Sequence, residues 1–360
     1  MLIGFALAST LVLAGCASGT TASSSTGSNA TIEIGSVYEP QNLDNTAGGG
    51  QGVTEALNGN VYEGLFTLTD DGKVDNLLAK NYTVSSDGLT YTFTLQSGVK
   101  FHSGKTMTSA DVKYSIDKVL APSSQSARKS SLAPISNIAT PNASTVVITL
   151  KTRSISLVYN LSYVWIINDK ATNLKTTEDG TGPYQLGTWK HGSSLSLIRF
   201  ANYWGTPAKN KEVVFNYYTN ATALNNALLT NAVDVVTSEQ SPDSLSQFDN
   251  NPAYKVNNGS STTKLLLAFN DKVAPFNNTL VRKAITSAID NKKLLSSIWG
   301  NYGTLIGSMV PPTDPWYENL TKVNPYDPTL AKKELTEAGF GNGFSFTLDT
   351  PNYDPHPAAA

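Results

Sequence analysis

Hydrophobic positions recur along this chain with two periods, and the changes between them outline its elements. In TIEIGSVYEP (31–40), Ile32, Ile34 and Val37 mark a short strand. A glycine-rich loop, DNTAGGGQG, follows and leads into a helix-like VTEALNGNVYEGL. In NYTVSSDGLTYTFTL, Tyr82 and Val84 precede Asp87-Gly88, and Leu89, Tyr91, Phe93 and Leu95 follow it. An Asp-Gly between two period-two runs predicts a hairpin. TMTSADVKYSIDKVL predicts a helix, with Thr108 and Asp111 at capping-box spacing and Val112, Ile116, Val119 and Leu120 on one stripe. The strand STVVITL completes a compact α+β unit.

The second half alternates strands and helices, which predicts an α/β layered architecture. Strands are expected in TGPYQLGTWKHGSSLSLIRF and EVVFNYY, with a helix in ATALNNALL before AVDVV. KLLLAFN is expected to be a strand ending at Asn270, and FSFTLD is strand-like. Between them, NTLVRKAITSAIDNKKLLSSIW predicts a helical pair with Leu280, Ala284, Ile285, Ala288 and Ile289 as its buried stripe. In YDPTLAKKELTEAGF, Asp327 reads as N-cap, Pro328 as the first helical residue and Gly339 as terminator.

The start of the chain changes the picture. Leu2 to Leu13 is an apolar run long enough for a secretory signal and too short to span a bilayer. It ends at Leu13-Ala14-Gly15-Cys16, which carries the single cysteine of the chain and resembles the lipobox of bacterial lipoproteins. The resemblance implies a signal peptide at 1–15 and a lipid on Cys16. No Lys or Arg precedes the apolar run, a departure from the usual signal pattern. Residues 17 to 29, all small or polar, read as a flexible tether from that anchor. With 26 Lys+Arg, 28 Asp+Glu and no basic block, the composition argues against nucleic acid as a partner.

Several segments together resemble one family, the solute-binding proteins of ABC importers in the branch serving oligopeptides, dipeptides and nickel (family 5). VYEGLFTLTDDGKVDNLLAKNYTVSSDGLTYTFTLQSGVKFHSGKTMTSADVKYSI (61–116) resembles its signature region. GTGPYQLGTWKHG, YWG, AVDVV, LAFNDKVAPFNNTLVRKAITSAID, MVPP and YDPTLAKKELTEAGF resemble later blocks in the same order. The resemblance implies a two-lobed α/β chain of the type II periplasmic-binding-protein fold. Lobe one would comprise 30–60 and 183–265, with an inserted α+β subdomain at 61–182. An incomplete lobe two would occupy 266–360, since family members continue beyond this chain. The implied function is capture of a peptide or similar solute by hinge closure, and its delivery to an importer's membrane subunits. A monomer, held by its lipid outside the cell membrane and needing no cofactor, is expected.

Candidate ligand-binding residues follow. Gly49, Gly50, Gln51 and Gly52 follow the first strand, where an α/β sheet presents its ligand edge; they either approach ligand or form a flexible turn. Tyr163 and Trp165, on one face of a strand in SYVWIIND, read as pocket wall or as core. Asn270 binds ligand backbone or caps a turn. His102, in GVKFHSGK, has no catalytic constellation beside it and reads as a packing or surface residue. Arg282 reads as a helix-surface or interlobe ion pair, and the histidines show no metal spacing. An exported hydrolase would need a nucleophile elbow, and no Gly-x-Ser-x-Gly occurs. A nickel-complex or oligosaccharide receptor of the same fold, or a non-transport sensor or adhesin, are the alternatives.

Overall fold

The structure is a computed structural model and describes residues 30–48, 50–239, 241–249, 251–259, 264–300, 302–314, 316–351 and 356–360. The expected signal peptide, the lipid site Cys16, the whole tether and Gly49 lie outside the described residues.

The strands are β1 (Thr31–Ser36), β2 (Phe66–Leu68), β3 (Val74–Asn76), β4 (Ala79–Val84), β5 (Thr90–Leu95), β6 (Ile135–Asn142), β7 (Thr145–Leu150), β8 (Tyr184–Lys190), β9 (Ser194–Arg199), β10 (Glu212–Tyr217) and β11 (Val235–Val236). The helices are α1 (Gly50–Leu57), α2 (Ser109–Leu120), α3 (Lys129–Leu132), α4 (Leu157–Leu161), α5 (Ala221–Leu229), α6 (Ser246–Asp249), α7 (Thr279–Ala288), α8 (Asn291–Trp299), α9 (Pro328–Glu337) and α10 (His356–Ala359).

A five-stranded sheet in the order β11-β1-β10-β9-β8 forms one body, with β1 parallel to both β10 and β11. Between β1 and β8 the chain leaves that sheet and builds a second, antiparallel one in the order β4-β5-β7-β6. Each sheet has its own apolar core. Phe93, Phe101, Val112, Ile116 and Ile148 centre one, and Val53, Leu57, Tyr62, Leu195, Leu197 and Phe215 centre the other.

Local chemistry sets the expected elements. Gly88 takes φ +71° in the hairpin turn between β4 and β5, a backbone that side-chain-bearing residues rarely adopt. The Asp111 carboxylate accepts the Thr108 backbone N–H at 2.8 Å, closing the reciprocal cap of α2. Asp327 accepts from Thr329 and Leu330 N–H at the start of α9.

Two expected strands in the last hundred residues fail, for one reason. KLLLAFN and FSFTLD carry strand-like patterns, but neither is a strand in the structure. Leu265, Leu266 and Leu267 are each more than 40% exposed, as are Phe346 and Leu348, and no described neighbour pairs with either segment. Alternation supplies one face of a strand, whereas a sheet needs a partner edge as well.

The two bodies are joined by a buried polar network in which the quoted motifs meet. Glu63 of VYEGL is 3% exposed. Its carboxylate accepts the Tyr203 hydroxyl at 2.7 Å, the Trp204 indole N–H at 2.9 Å and the Thr181 hydroxyl at 2.8 Å. Burial pushes the Glu63 carboxyl up; the three donors oppose this without cancelling it. Beside it, His102 Nδ1 lies 2.6 Å from Glu178 Oε2 and Nε2 lies 3.0 Å from the Gly182 carbonyl oxygen, with both side chains almost fully buried. Burial favours the neutral ring, but the Glu178 hydrogen bond and charge, helped by the Gly182 carbonyl and Asp179, win and raise the His102 pKa. A Cβ on Gly180 or Gly182 would land on the backbone of Asn60 and Val61, so this junction requires glycine for close approach.

Candidate functional site

Away from that junction, side chains from three separate stretches meet in a partly open cluster. The first is the loop after α2. Its Gln125 N–H donates to the Thr46 carbonyl at 2.9 Å, and Gly48 lies against the Gln125 side chain. Lys118, near the end of α2, reinforces the contact by pairing with Asp44 at 2.6 Å. Burial opposes the Asp44 carboxylate, yet Lys118 and Thr46 hold its pKa below the ordinary value. Three residues beyond Gln125, Arg128 places its guanidinium 3.6 Å from the ring centre of Tyr163. A planar guanidinium stacked in this way keeps its edge N–H groups free for a planar acceptor.

The second stretch is α4 and the turn after it. Tyr159 and Tyr163 are four residues apart, which puts them side by side on a helical turn. Their rings are 5.5 Å apart and their hydroxyl oxygens 3.2 Å apart. The third stretch, between α8 and α9, contributes Asp314 and Trp316. The Tyr159 hydroxyl donates to Asp314 Oδ1 at 2.8 Å, and the Trp316 ring stands edge-on to Tyr159 at 5.1 Å and 88°. Burial, then the hydrogen bonds to Tyr163 and Asp314, push the Tyr159 pKa well up, so it stays a neutral donor. Among the described residues no carboxylate pairs with Arg128 and no cation pairs with Asp314. Among the described residues the cluster therefore presents a cation without an anionic partner and an anion without a cationic one, beside three aromatic rings.

The structure divides the residues singled out from sequence. Tyr163 stands in this cluster. Trp165 is buried, stacked on Tyr62 at 4.9 Å and 12°, with its indole N–H donated to Asn58 at 2.8 Å. The expected shared strand face does not exist: Ser162 to Asp169 is not a strand. Val164 and Ile166 point into one core, Trp165 and Ile167 into the other, so the alternation reflects burial on both sides. Tyr163 falls in the turn before that run.

Gly50 and Gln51 open α1 and are exposed, with nothing near the position a Gly50 Cβ would take. Gly52 is a packing residue, because a Cβ there would meet the backbone of Tyr38, Glu39 and Pro40. Asn270 is exposed and caps a turn, accepting the Lys272 N–H at 3.2 Å, and is not part of the cluster. Arg282 donates to the Phe276 carbonyl and to Thr279 near the start of α7 rather than pairing with an acid. Among the described residues no group of three or more His, Cys, Asp or Glu could hold a metal ion.

Sequence reasoning missed Arg128, Tyr159, Asp314 and Trp316. The four-residue spacing of Tyr159 and Tyr163 was a usable signal. Nothing local marks Arg128, or brings Asp314 to Tyr159 from 155 positions away.

A model of bacterial extracellular solute-binding proteins, family 5, matches residues 73–360. The glutathione-binding protein GsiB of Salmonella typhi is 32% identical over 309 residues, 82% of this chain and 59% of that protein. Its counterpart from Escherichia coli K12 is 30% identical over 308 residues. The chain thus spans 59% of the length of these curated relatives. Among solved structures, AgaA of A. tumefacien R10, in complex with agropinic acid, matches at TM-score 0.74 and 29% identity, covering 87% of this chain and 65% of that one. A dipeptide-binding protein from Pseudoalteromonas sp. SM9913, in complex with Met-Leu, matches at TM-score 0.75 and 23% identity, covering 87% and 68%. At that identity the second match bears on fold alone.

Proposed function

The chain belongs to the family 5 bacterial extracellular solute-binding proteins, and from that membership we propose that it captures a carboxylate-bearing solute, peptides first, for an ABC importer. Its fold is the two-lobed α/β fold of the type II periplasmic binding proteins. The observation that carries the reading is Arg128, stacked 3.6 Å from the Tyr163 ring centre, without an anionic partner among the described residues. A fixed, charge-assisted bidentate donor on an aromatic wall is suited to a planar carboxylate. Tyr159 and Trp316 add surface on which varied side chains pack. Contacts from both sides of the cluster favour a closed state, by which an importer's membrane subunits would recognise loaded protein. Cys16 would carry the lipid that holds the protein outside the membrane. The role is binding rather than chemistry.

Native mass spectrometry of the protein tests this. Small masses that co-purify and leave on activation, and that carry a carboxylate, support the reading. R128Q should abolish their retention. Retention of the same masses by R128Q would refute the assignment.

A further inference from the structure

The β2–β3 hairpin takes no part in the aromatic cluster, yet its tip touches the segment between α8 and α9. Phe66, at the start of β2, is anchored in the core of the antiparallel sheet and pairs with Asn76 of β3. The turn beyond is closed on itself. Gly72 donates its N–H to the Thr69 carbonyl at 2.9 Å, Thr69 donates to the Lys73 carbonyl at 2.9 Å, and Asp71 pairs with Lys73 at 2.6 Å. Gly72, at φ +77°, presents bare backbone at the end of this braced turn. That backbone lies directly against the backbone of Thr313: a Cβ on Gly72 would come within 2.1 Å of the Thr313 carbonyl oxygen and 3.2 Å of its carbon. The Thr313 hydroxyl is itself enclosed without a hydrogen-bond partner among the described residues. Enclosing an unpaired hydroxyl is unfavourable, and lifting the segment off the hairpin would return it to water. We propose that the β2–β3 tip is a backbone seat for the segment between α8 and α9, that Gly72 sets how closely the segment approaches, and that the enclosed Thr313 hydroxyl keeps the seated state easy to leave.

The seat acts through its neighbours. Asp314 accepts the Tyr159 hydroxyl at 2.8 Å, and the Trp316 ring stands 5.1 Å from that of Tyr159, so the segment is also held by α4. Any side chain at position 72 pushes the Thr313 oxygen from 2.1 Å to 3.0 Å or more, a retreat of about 0.9 Å. A retreat of that size away from α4 would carry the Tyr159–Asp314 contact from 2.8 Å beyond hydrogen-bond range. Gly72 is thus a positioning residue for Asp314 and Trp316. Removing the Thr313 hydroxyl acts in the opposite sense, because a methyl group in its place needs no partner. With contacts favouring the seat and one of the segment's own groups opposing it, seated and released states exchange. The device does not depend on which solute is bound.

The test is fluorine NMR of the full chain carrying 5-fluorotryptophan, with the Trp316 signal assigned by its loss in W316F. Wild type, G72A, T313V and G98A are compared without added solute, and urea transitions check that each variant folds. G98A controls for backbone strain: Gly98 has φ +76°, and nothing lies within 4 Å of the position its Cβ would take. G72A should move the Trp316 signal toward the released state, lowering the seated-to-released ratio roughly 10-fold. T313V should move it the opposite way along the same line, raising that ratio roughly 5-fold or more. G98A should leave it at the wild-type position. A G72A signal indistinguishable from that of G98A would overturn the seat. A T313V signal unmoved, or moved in the same direction as G72A, would overturn the role of the hydroxyl. Because no solute is present, neither result depends on the solute-binding reading.

Discussion

Removing the Glu63 carboxylate tests the claim that the quoted motifs form one structural joint. Two donors, the Trp204 indole N–H and the Thr181 hydroxyl, converge on Oε2, and the Tyr203 hydroxyl donates to Oε1. In E63L all three lose their acceptor inside the protein. The hydroxyls can rotate, but the indole N–H has one direction. A buried donor left without an acceptor costs about 1–3 kcal/mol. Relief from burying a carboxylate whose pKa burial has raised returns part of this, so the net loss should be about 2–4 kcal/mol at pH 7. E63Q behaves differently. Its carbonyl oxygen in the Oε2 position keeps Trp204 and Thr181, and its amide donates to the Tyr203 oxygen, so the change should stay within about 1 kcal/mol. It should also alter the pH dependence. Because the folded pKa of Glu63 lies above its ordinary 4.5, its contribution is full below that value and is lost as pH rises through the folded pKa. E63Q removes that loss. Urea denaturation followed by tryptophan fluorescence, with Trp204 in the network, reads both variants. An E63L midpoint equivalent to a loss below about 1 kcal/mol, or E63Q as unstable as E63L, would refute the network account.

Other consequences are as direct. His102 has a raised folded pKa, so the stability it contributes is complete below 6.5 and is lost as pH rises through the folded value. H102Q should flatten that part of the stability profile, measured by urea midpoints from acid to mildly alkaline pH. G180A should cost about 1–3 kcal/mol, because the added methyl meets the Val61 backbone, and thermal unfolding should show it. G50A should cost less by the same assay: its φ of +74° is strained for alanine, but no atom lies near the new methyl. W165F should lower stability by about 1–2 kcal/mol through the lost Asn58 hydrogen bond and Tyr62 stacking, while leaving peptide affinity within twofold by calorimetry.

How legible was the molecule? Where chemistry is local, the reading carried through. Asp87-Gly88 makes its hairpin, Thr108 and Asp111 cap α2, and Asp327-Pro328 starts α9. Ordered motifs also pointed to the family, because their order and spacing over the chain are far more specific than any one of them. The candidate site was less legible. Tyr163 lies in the cluster, while Trp165 at equal spacing from the same quoted stretch is core. Polarity alternates in both cases, and only knowing that cores lie on both sides of 164–167 separates them.

What the sequence determined by itself was therefore local and statistical: helix caps, turn glycines, the period of each segment, a near-even charge balance, and the family. Each depends on residues a few positions apart or on motif order. The tertiary structure decided which apolar segments found a sheet partner, which motifs became the buried joint around Glu63 and His102, and which aromatic side chains gathered around Arg128 and Asp314. Tyr159 meets Asp314 across 155 positions, and His102 meets Glu178 across 76. Contacts of that span are set by how whole elements pack, because no dihedral preference or periodicity reaches so far along the chain.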